Sequence, residues 1–223
     1  MSFPIADEDR DLRKTIMAAA REGFARRGFF GTSLDSIVKK AGVSKGAIYW
    51  HFPGKWELYK AVLSEEVDRI KRVFIPPGGE LSVPPGEDFF ISRGNLLIDA
   101  LAEDLECRLL FVHLCLEAMR GGSGMAEFVS SLRTSILQDA APLFGSLFPE
   151  EVLRQRGISM ERLMDMFQSV LNGFIMNLGL TITREDAKQD WRFLVSCVLG
   201  HLEGGARIPR AIPEASETSF PNA

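Results

Sequence analysis

Residues 32–63, TSLDSIVKKAGVSKGAIYWHFPGKWELYKAVL, decide how the rest of the chain is read. Leu34, Ile37, Val38 and Ala41 step by three and four, the spacing that lines one face of a short helix. Gly42 accepts the left-handed backbone that ends such a helix, and Val43 turns the chain back inward. Ser44 is a helix N-cap, and KGAIYWHF follows it. Two short helices joined this tightly form a helix-turn-helix. A second helix launched from a small polar cap is shaped to put its first turn into a DNA major groove.

The residues of the motif divide by chemistry. Ile37, Ala41, Val43, Ile48 and Phe52 are apolar and are expected to glue the two helices to a preceding one through Phe24. Ser44, Lys45, Gly46 and Ala47 are small apart from Lys45, so the backbone there can approach a groove floor or a phosphate. Tyr49, Trp50 and His51 are polar-tipped aromatics that a core seldom holds side by side. Lys55 opens the next helix, where the helix dipole and the ammonium both attract a phosphate. Thr32 or Ser33 caps the first helix of the pair.

Working outward, Leu12, Ile16, Ala20 and Phe24 recur at i+4 and predict a helix over 9–27, stopped by Gly28. After the motif, Tyr59, Val62, Leu63, Val67, Ile70 and Phe74 form one stripe of a helix over 55–74. The stretch IPPGGELSVPPG at 75–86 cannot continue a helix and marks a boundary. Beyond it the pattern is helical again. Leu97, Leu101 and Leu105 repeat at i+4. Residues 109–119 are apolar nearly all round. Phe128, Leu132, Ile136, Ala140 and Leu143 follow, with Pro142 and Pro149 placed to kink or end that region. Two further helices are predicted over 160–180 and from Thr183 or Arg184 to about 203. No stretch alternates as a strand would. The expected architecture is all-α: a helix-turn-helix head over 9–54, a connecting helix over 55–74, a body over 87–203 and a disordered tail over 204–223.

Net charge is −4, yet residues 1–73 hold 14 Lys/Arg against 10 Asp/Glu, while residues 74–223 hold 12 against 20. A basic head on an acidic body suits a protein whose head alone meets phosphates. Cys107, Cys115 and Cys197 have no metal-ligand spacing and read as small buried hydrophobes of a reduced compartment; no metal or cofactor is expected. MSFPIADEDRDLRK lacks the basic and apolar regions of a secretion signal. The most apolar window, 163–182, is interrupted by Asp165, Gln168, Asn172 and Asn177, so it reads as a buried helix rather than a membrane span. The expected location is the cytoplasm. His51, His113 and His201 are scattered, and no paired carboxylates or nucleophile motif accompany them, so no catalytic residues are assigned.

The string AGVSKGAIYWHFPGKWELYKAV resembles the TetR family of one-component bacterial transcriptional regulators. The resemblance covers Arg13 to Leu63. It rests on Thr32 or Ser33, Ile37, Ala41, Gly42, Val43, Ser44, Gly46, Tyr49, His51, Phe52, Lys55 and Leu58. The GAIYWHF core is most similar to the branch of AcrR-type repressors of drug-efflux pumps. Trp56 departs from many relatives, which carry a smaller or acidic residue there.

The resemblance implies an N-terminal three-helix DNA-binding domain and a C-terminal helical domain for ligand binding and dimerisation. It implies that Thr32 or Ser33 and Ser44 contact phosphates, and that Lys45, Gly46, Ala47 and Tyr49 face the major groove. Tyr49, His51 and Lys55 then hold the operator backbone, with Trp50 beside them. It further implies a ligand-responsive regulator, a repressor released from double-stranded operator DNA by a lipophilic small molecule and controlling an efflux or transport gene. The alternatives are an activator, or control by a metabolite or partner protein. An all-helical enzyme is the least supported reading.

A single recognition helix reads few bases, so such proteins work as two-fold dimers. Met166, Gly173, Met176, Asn177 and Leu180 make a second face on the penultimate helix, and Phe193, Cys197 and Gly200 make one on the last; these are the candidate homodimer interface. For a pocket, the candidates are the rings and thioethers Phe90, Phe111, Phe128, Met164 and Phe167, together with the polar residues His113, Glu117, Gln168 and Asn172 set in apolar surroundings.

Overall fold

The computed structural model describes residues 4–75, 86–121 and 124–202. Among these residues the chain forms ten helices and no strand beyond one bridge between Leu178 and Ile182. The head is α1 (Pro4–Arg27), α2 (Leu34–Ala41) and α3 (Lys45–His51). Helix α4 (Lys55–Phe74) leads into the body. The body is α5 (Glu87–Glu103), α6 (Leu105–Met119), α7 (Met125–Leu147), α8 (Glu150–Gln155), α9 (Met160–Asn177) and α10 (Arg184–Leu202).

Two cores follow from the apolar stripes. In the head, Ile16, Ala20 and Phe24 of α1 meet Ile37, Ile48, Phe52, Leu58 and Tyr59. This core does not close on itself: Leu110 and Leu114 of α6 and Met125 of α7 are buried in it. The body core is built around Phe74, Phe90, Phe144, Phe148, Phe167 and Trp191, whose ring centroids lie 4.9–6.3 Å apart, mostly edge to face. That is the geometry the ring quadrupoles favour. Trp191 is fully buried, and its indole N–H donates to the Phe90 carbonyl at 3.1 Å.

Three local expectations are corrected. Leu105 does not continue the stripe of Leu97 and Leu101. The helix breaks at Asp104, whose carboxylate accepts from the Cys107 N–H at 2.9 Å and so starts α6, leaving Leu105 exposed. Pro142 does not end α7, which runs through it to Leu147, held by buried Ala140, Leu143 and Phe144 on either side. Cys115 is not a buried hydrophobe but an exposed one. Residues 76–85 of the linker expected over 75–86, and the tail expected over 204–223, lie outside the described residues.

Asp104 is also where head and body are tied by charge. The Arg21 guanidinium on α1 donates to Glu66 at 2.7 Å, Asp104 at 2.6 Å and Glu106 at 2.5 Å, and Arg69 joins Glu66 and Asp104 at 2.7 Å each. Burial pushes the Glu66 and Asp104 carboxyls up, but hydrogen bonds from the arginines outweigh it and hold both below their ordinary 4.5 and 3.8. Carboxyls depressed in this way stabilise the fold above their unfolded pKa, and the gain is lost as pH falls through the folded value. Arg21→Met is therefore expected to cost about 1–3 kcal/mol at pH 7. The gap to wild type should narrow below about pH 4, as falling pH passes through the depressed folded values and the carboxyls that Arg21 holds take up protons. Urea melts at pH 7 and pH 3 check this; a gap that widens in acid contradicts it.

Candidate nucleic-acid interface and body cavity

The helix-turn-helix is assembled by local caps. The Ser33 hydroxyl accepts from the Ser36 N–H at 3.1 Å and starts α2; Ser44 accepts from the Ala47 N–H at 3.1 Å and starts α3. Gly42 ends α2 in the left-handed region at φ 67°, its N–H donating to the Val38 carbonyl at 3.0 Å. Ile48 is buried while Ser44, Lys45, Gly46, Tyr49 and Trp50 are exposed, so α3 is glued by one residue and bare on the opposite side. Trp50 is 80% exposed and Tyr49 50%. Lys45 reaches back to Asp35 on α2 at 2.8 Å, and this pairing raises its pKa.

Four expected DNA-contact residues sit differently. Thr32 is buried, its hydroxyl bonded to the Gly23 and Gly28 carbonyls, so Ser33 alone is the cap. The His51 side chain is 6% exposed, and its Nε2 lies 3.5 Å from Asp9, against the head rather than outward. The Lys55 ammonium donates to the Phe29 and Thr32 carbonyls at 2.8 and 2.9 Å and lies 4.2 Å above the Phe29 ring. Burial there lowers its pKa. Ala47 is half-buried. A polar tip in a sequence does not say which way it points, and those of Thr32 and Lys55 satisfy the head's own backbone carbonyls.

The loop pinned by Lys55 is pinned from the body as well. Glu117 on α6 is buried and accepts the N–H groups of Phe29 at 2.7 Å and Phe30 at 3.3 Å, with the Tyr59 hydroxyl at 3.4 Å. Burial and this carboxylate push the Tyr59 phenol up. His113, one turn earlier, also faces the Gly28 turn. Glu117 and His113 were expected in a pocket; they form a joint between head and body instead. Phe128 belongs to the same joint, edge-on to Trp56 at 5.7 Å.

A cavity of about 220 Å³ lies in the body. Phe111, Met164, Phe167, Gln168 and Asn172 line it, whereas Phe90 is wholly buried in the core beside it. The sequence reading missed Lys71, Arg133 and Trp191, as well as Val67, Ile70 and Phe74 on the lower half of α4. The long stripe of α4 was the available signal: it is too long to serve the head alone. Lys71 reaches Asp139 at 2.7 Å, Asp68 at 3.0 Å and Ser135 at 3.2 Å. Burial lowers its pKa, but the hydrogen bonds to Asp139 and Asp68 outweigh it and raise the pKa. Arg133 reaches Asp165 at 2.5 Å and Glu161 at 3.3 Å. Gln168 donates to Asn172 at 3.0 Å.

On the opposite side of α9, Met166 and Met176 are exposed, as is Leu180 in the turn after α9, which ends at Asn177 rather than at 180; Phe193 of α10 is exposed beside half-buried Cys197. Gly173 has open space above it. Asn177 donates to the Gly173 carbonyl at 2.9 Å, and Gly200 is buried.

Comparison with known proteins agrees with this geometry. The family described as "Bacterial regulatory proteins, tetR family" matches residues 16–62. The regulator LmrA of Bacillus subtilis is 30% identical over 170 residues, which cover 74% of this chain and 82% of LmrA. The chain belongs to the TetR family. TtgW of Pseudomonas putida, an HTH-type regulator, is 40% identical over 79 residues, but these span 35% of this chain and 59% of TtgW. The solved structure of Salmonella enterica GusR superposes with a TM-score of 0.67 over 91% of this chain and 97% of its own, at 22% identity, which establishes the shared fold. The protein is thus a transcriptional regulator with a DNA-binding head, and its relatives are regulators rather than enzymes. Among the described residues no helix is long and apolar enough to cross a membrane.

Proposed function

We propose that this TetR-family member is a ligand-responsive repressor, released from its operator when a lipophilic small molecule enters the body. One observation carries the reading: the two helices that hold the head also wall the cavity. Helix α4 puts Leu58, Tyr59, Val62 and Leu63 into the head core and Val67, Ile70 and Phe74 into the cavity wall. Helix α6 lends Leu110 and Glu117 to the head while Phe111 and Cys115 face the cavity. A molecule that spreads those helices must tilt the head. A coupling of about 1–3 kcal/mol changes operator affinity roughly 5- to 150-fold.

In this proposal Ser33, Ser44, Lys45, Gly46, Tyr49 and Trp50 meet the duplex, and two copies pair through the exposed faces of α9 and α10. Similarity of the GAIYWHF core to AcrR-type repressors extends the proposal to control of an efflux or transport gene. The test uses a duplex selected from a random pool by the wild-type protein. Lys45→Ala with Tyr49→Ala is expected to weaken its retention in a gel shift by at least about 10-fold, since each direct contact is worth about 1–3 kcal/mol. The salt dependence of binding should also shallow. Equal retention by both proteins contradicts the assignment of α3.

A further inference from the structure

The charge of the cavity wall narrows the class of ligand. This inference rests on the reading of the body as the effector-binding domain. Among the described residues the only charged ones lining the cavity are Lys71 and Arg133, both cations. Their carboxylate partners, Asp68 and Asp139 for Lys71 and Glu161 and Asp165 for Arg133, are not part of the wall. The rest is apolar or aromatic, apart from Cys115, Gln168 and Asn172. A cationic molecule would find no carboxylate inside and would meet two positive charges. An apolar molecule bearing one anionic group finds rings and aliphatic chains for its body and two cations for its head.

Both cations border the cavity along α7. Arg133 belongs to α7, and Lys71 is held against α7 by Ser135 and Asp139, within two turns of it. Asp68 and Asp139 are about half exposed, at 55% and 53%, so water can solvate them when Lys71 turns away. Exposed ion pairs are weak and exchange readily. We propose that the effector is an amphipathic anion, such as a lipophilic carboxylic acid, whose acid group takes Lys71 from Asp139, with Arg133 adding a second positive charge to the wall. Lys71 lies on α4, so the exchange would release a contact between α4 and α7 and act on the helix that carries the head.

The experiment compares three head groups on one skeleton, by calorimetry with the full chain: 2-naphthylacetate, 2-(2-naphthyl)ethanol and 2-(2-naphthyl)ethylammonium. A flexible set, decanoate, decanol and decylammonium, is run beside it. The acid is expected to bind at least about 10-fold more tightly than the alcohol, and the ammonium most weakly. Lys71→Met should erase the preference and Arg133→Met should weaken it, in each case by loss of acid binding, and Lys71→Arg should retain it. Equal binding of acid and alcohol, or preference for the ammonium, overturns the anion assignment but leaves the cavity reading standing. Failure of all six probes, alcohols included, overturns the cavity reading and this inference with it. If one methionine variant does not fold, the other and Lys71→Arg still decide the outcome.

Discussion

Glu117→Ala is expected to leave a folded protein whose head has come loose. The carboxylate accepts two successive N–H groups from the Phe29–Phe30 turn, while Lys55 holds the carbonyl side of the same loop. The turn is thus gripped between an anion of the body and a cation of α4. Gly28 is what lets the carboxylate come so close: its φ is +68°, and a side chain there would meet Glu117 Oε1. With alanine at 117, two partly buried donors lose their acceptor, a cost of about 2 kcal/mol. For a chain of this size that lowers Tm by about 4–8 °C. The larger effect is functional. Operator affinity should fall about 10-fold, because the heads are no longer set at one angle. The change in affinity on adding a ligand should shrink with it, because α6 no longer transmits its position. Glu117→Gln keeps one acceptor oxygen and should fall between. Thermal melts and operator titrations with and without ligand check both parts; a Glu117→Ala protein that binds and responds as wild type does contradicts the joint.

The two halves of the protein differ in how far sequence alone reveals them. The head is written in local code. A serine cap, a glycine at a left-handed position and apolar steps of three and four act within a few residues, so Gly42, Ser44 and Ile48 could be placed without coordinates and the α2 cap narrowed to Thr32 or Ser33. Residues that act across the fold could not. Asp104 caps α6 locally, but that its second carboxylate oxygen is gathered by Arg21 and Arg69, far away in sequence, could not be read. Glu117 and His113 stand one turn apart in an apolar helix, which looks the same whether they face a pocket or another segment's backbone. The cavity was half legible for a related reason. Rings and thioethers fill a core and line a pocket equally well, and only the gap between helices separates Phe167, at the wall, from Phe90, behind it. Lys71 and Arg133 escaped notice because surface lysines and arginines are common, and neither stands out until α4, α7 and α9 are brought together.

Gly94→Ala and Gly145→Ala make the same chemical change in two helices of the body and should move stability in opposite directions. Gly94 on α5 sits directly against the indole of Trp191 on α10, and a Cβ built there overlaps the ring. The ring cannot give way cheaply. It is fully buried, bonded to the Phe90 carbonyl, and wedged among Phe74 and Phe167 at 6.1 and 5.3 Å. Overpacking at such a site costs about 3 kcal/mol, because helices must separate or the ring must leave its rotamer. Gly145 on α7 has nothing within 4 Å of the same added atom. There alanine only removes the entropy penalty of glycine in a helix, a gain of about 0.5–1 kcal/mol. Thermal melts should therefore show Gly94→Ala falling by about 6–12 °C and Gly145→Ala rising by about 1–4 °C. Because Trp191 also lines the cavity, the damage at Gly94 should reach ligand binding. Adding Trp191→Leu to Gly94→Ala should then cost less than the two changes do separately, since a smaller residue makes room for the new methyl group. Equal melting temperatures for the two alanine variants would mean that α5 and α10 are not in contact at Gly94.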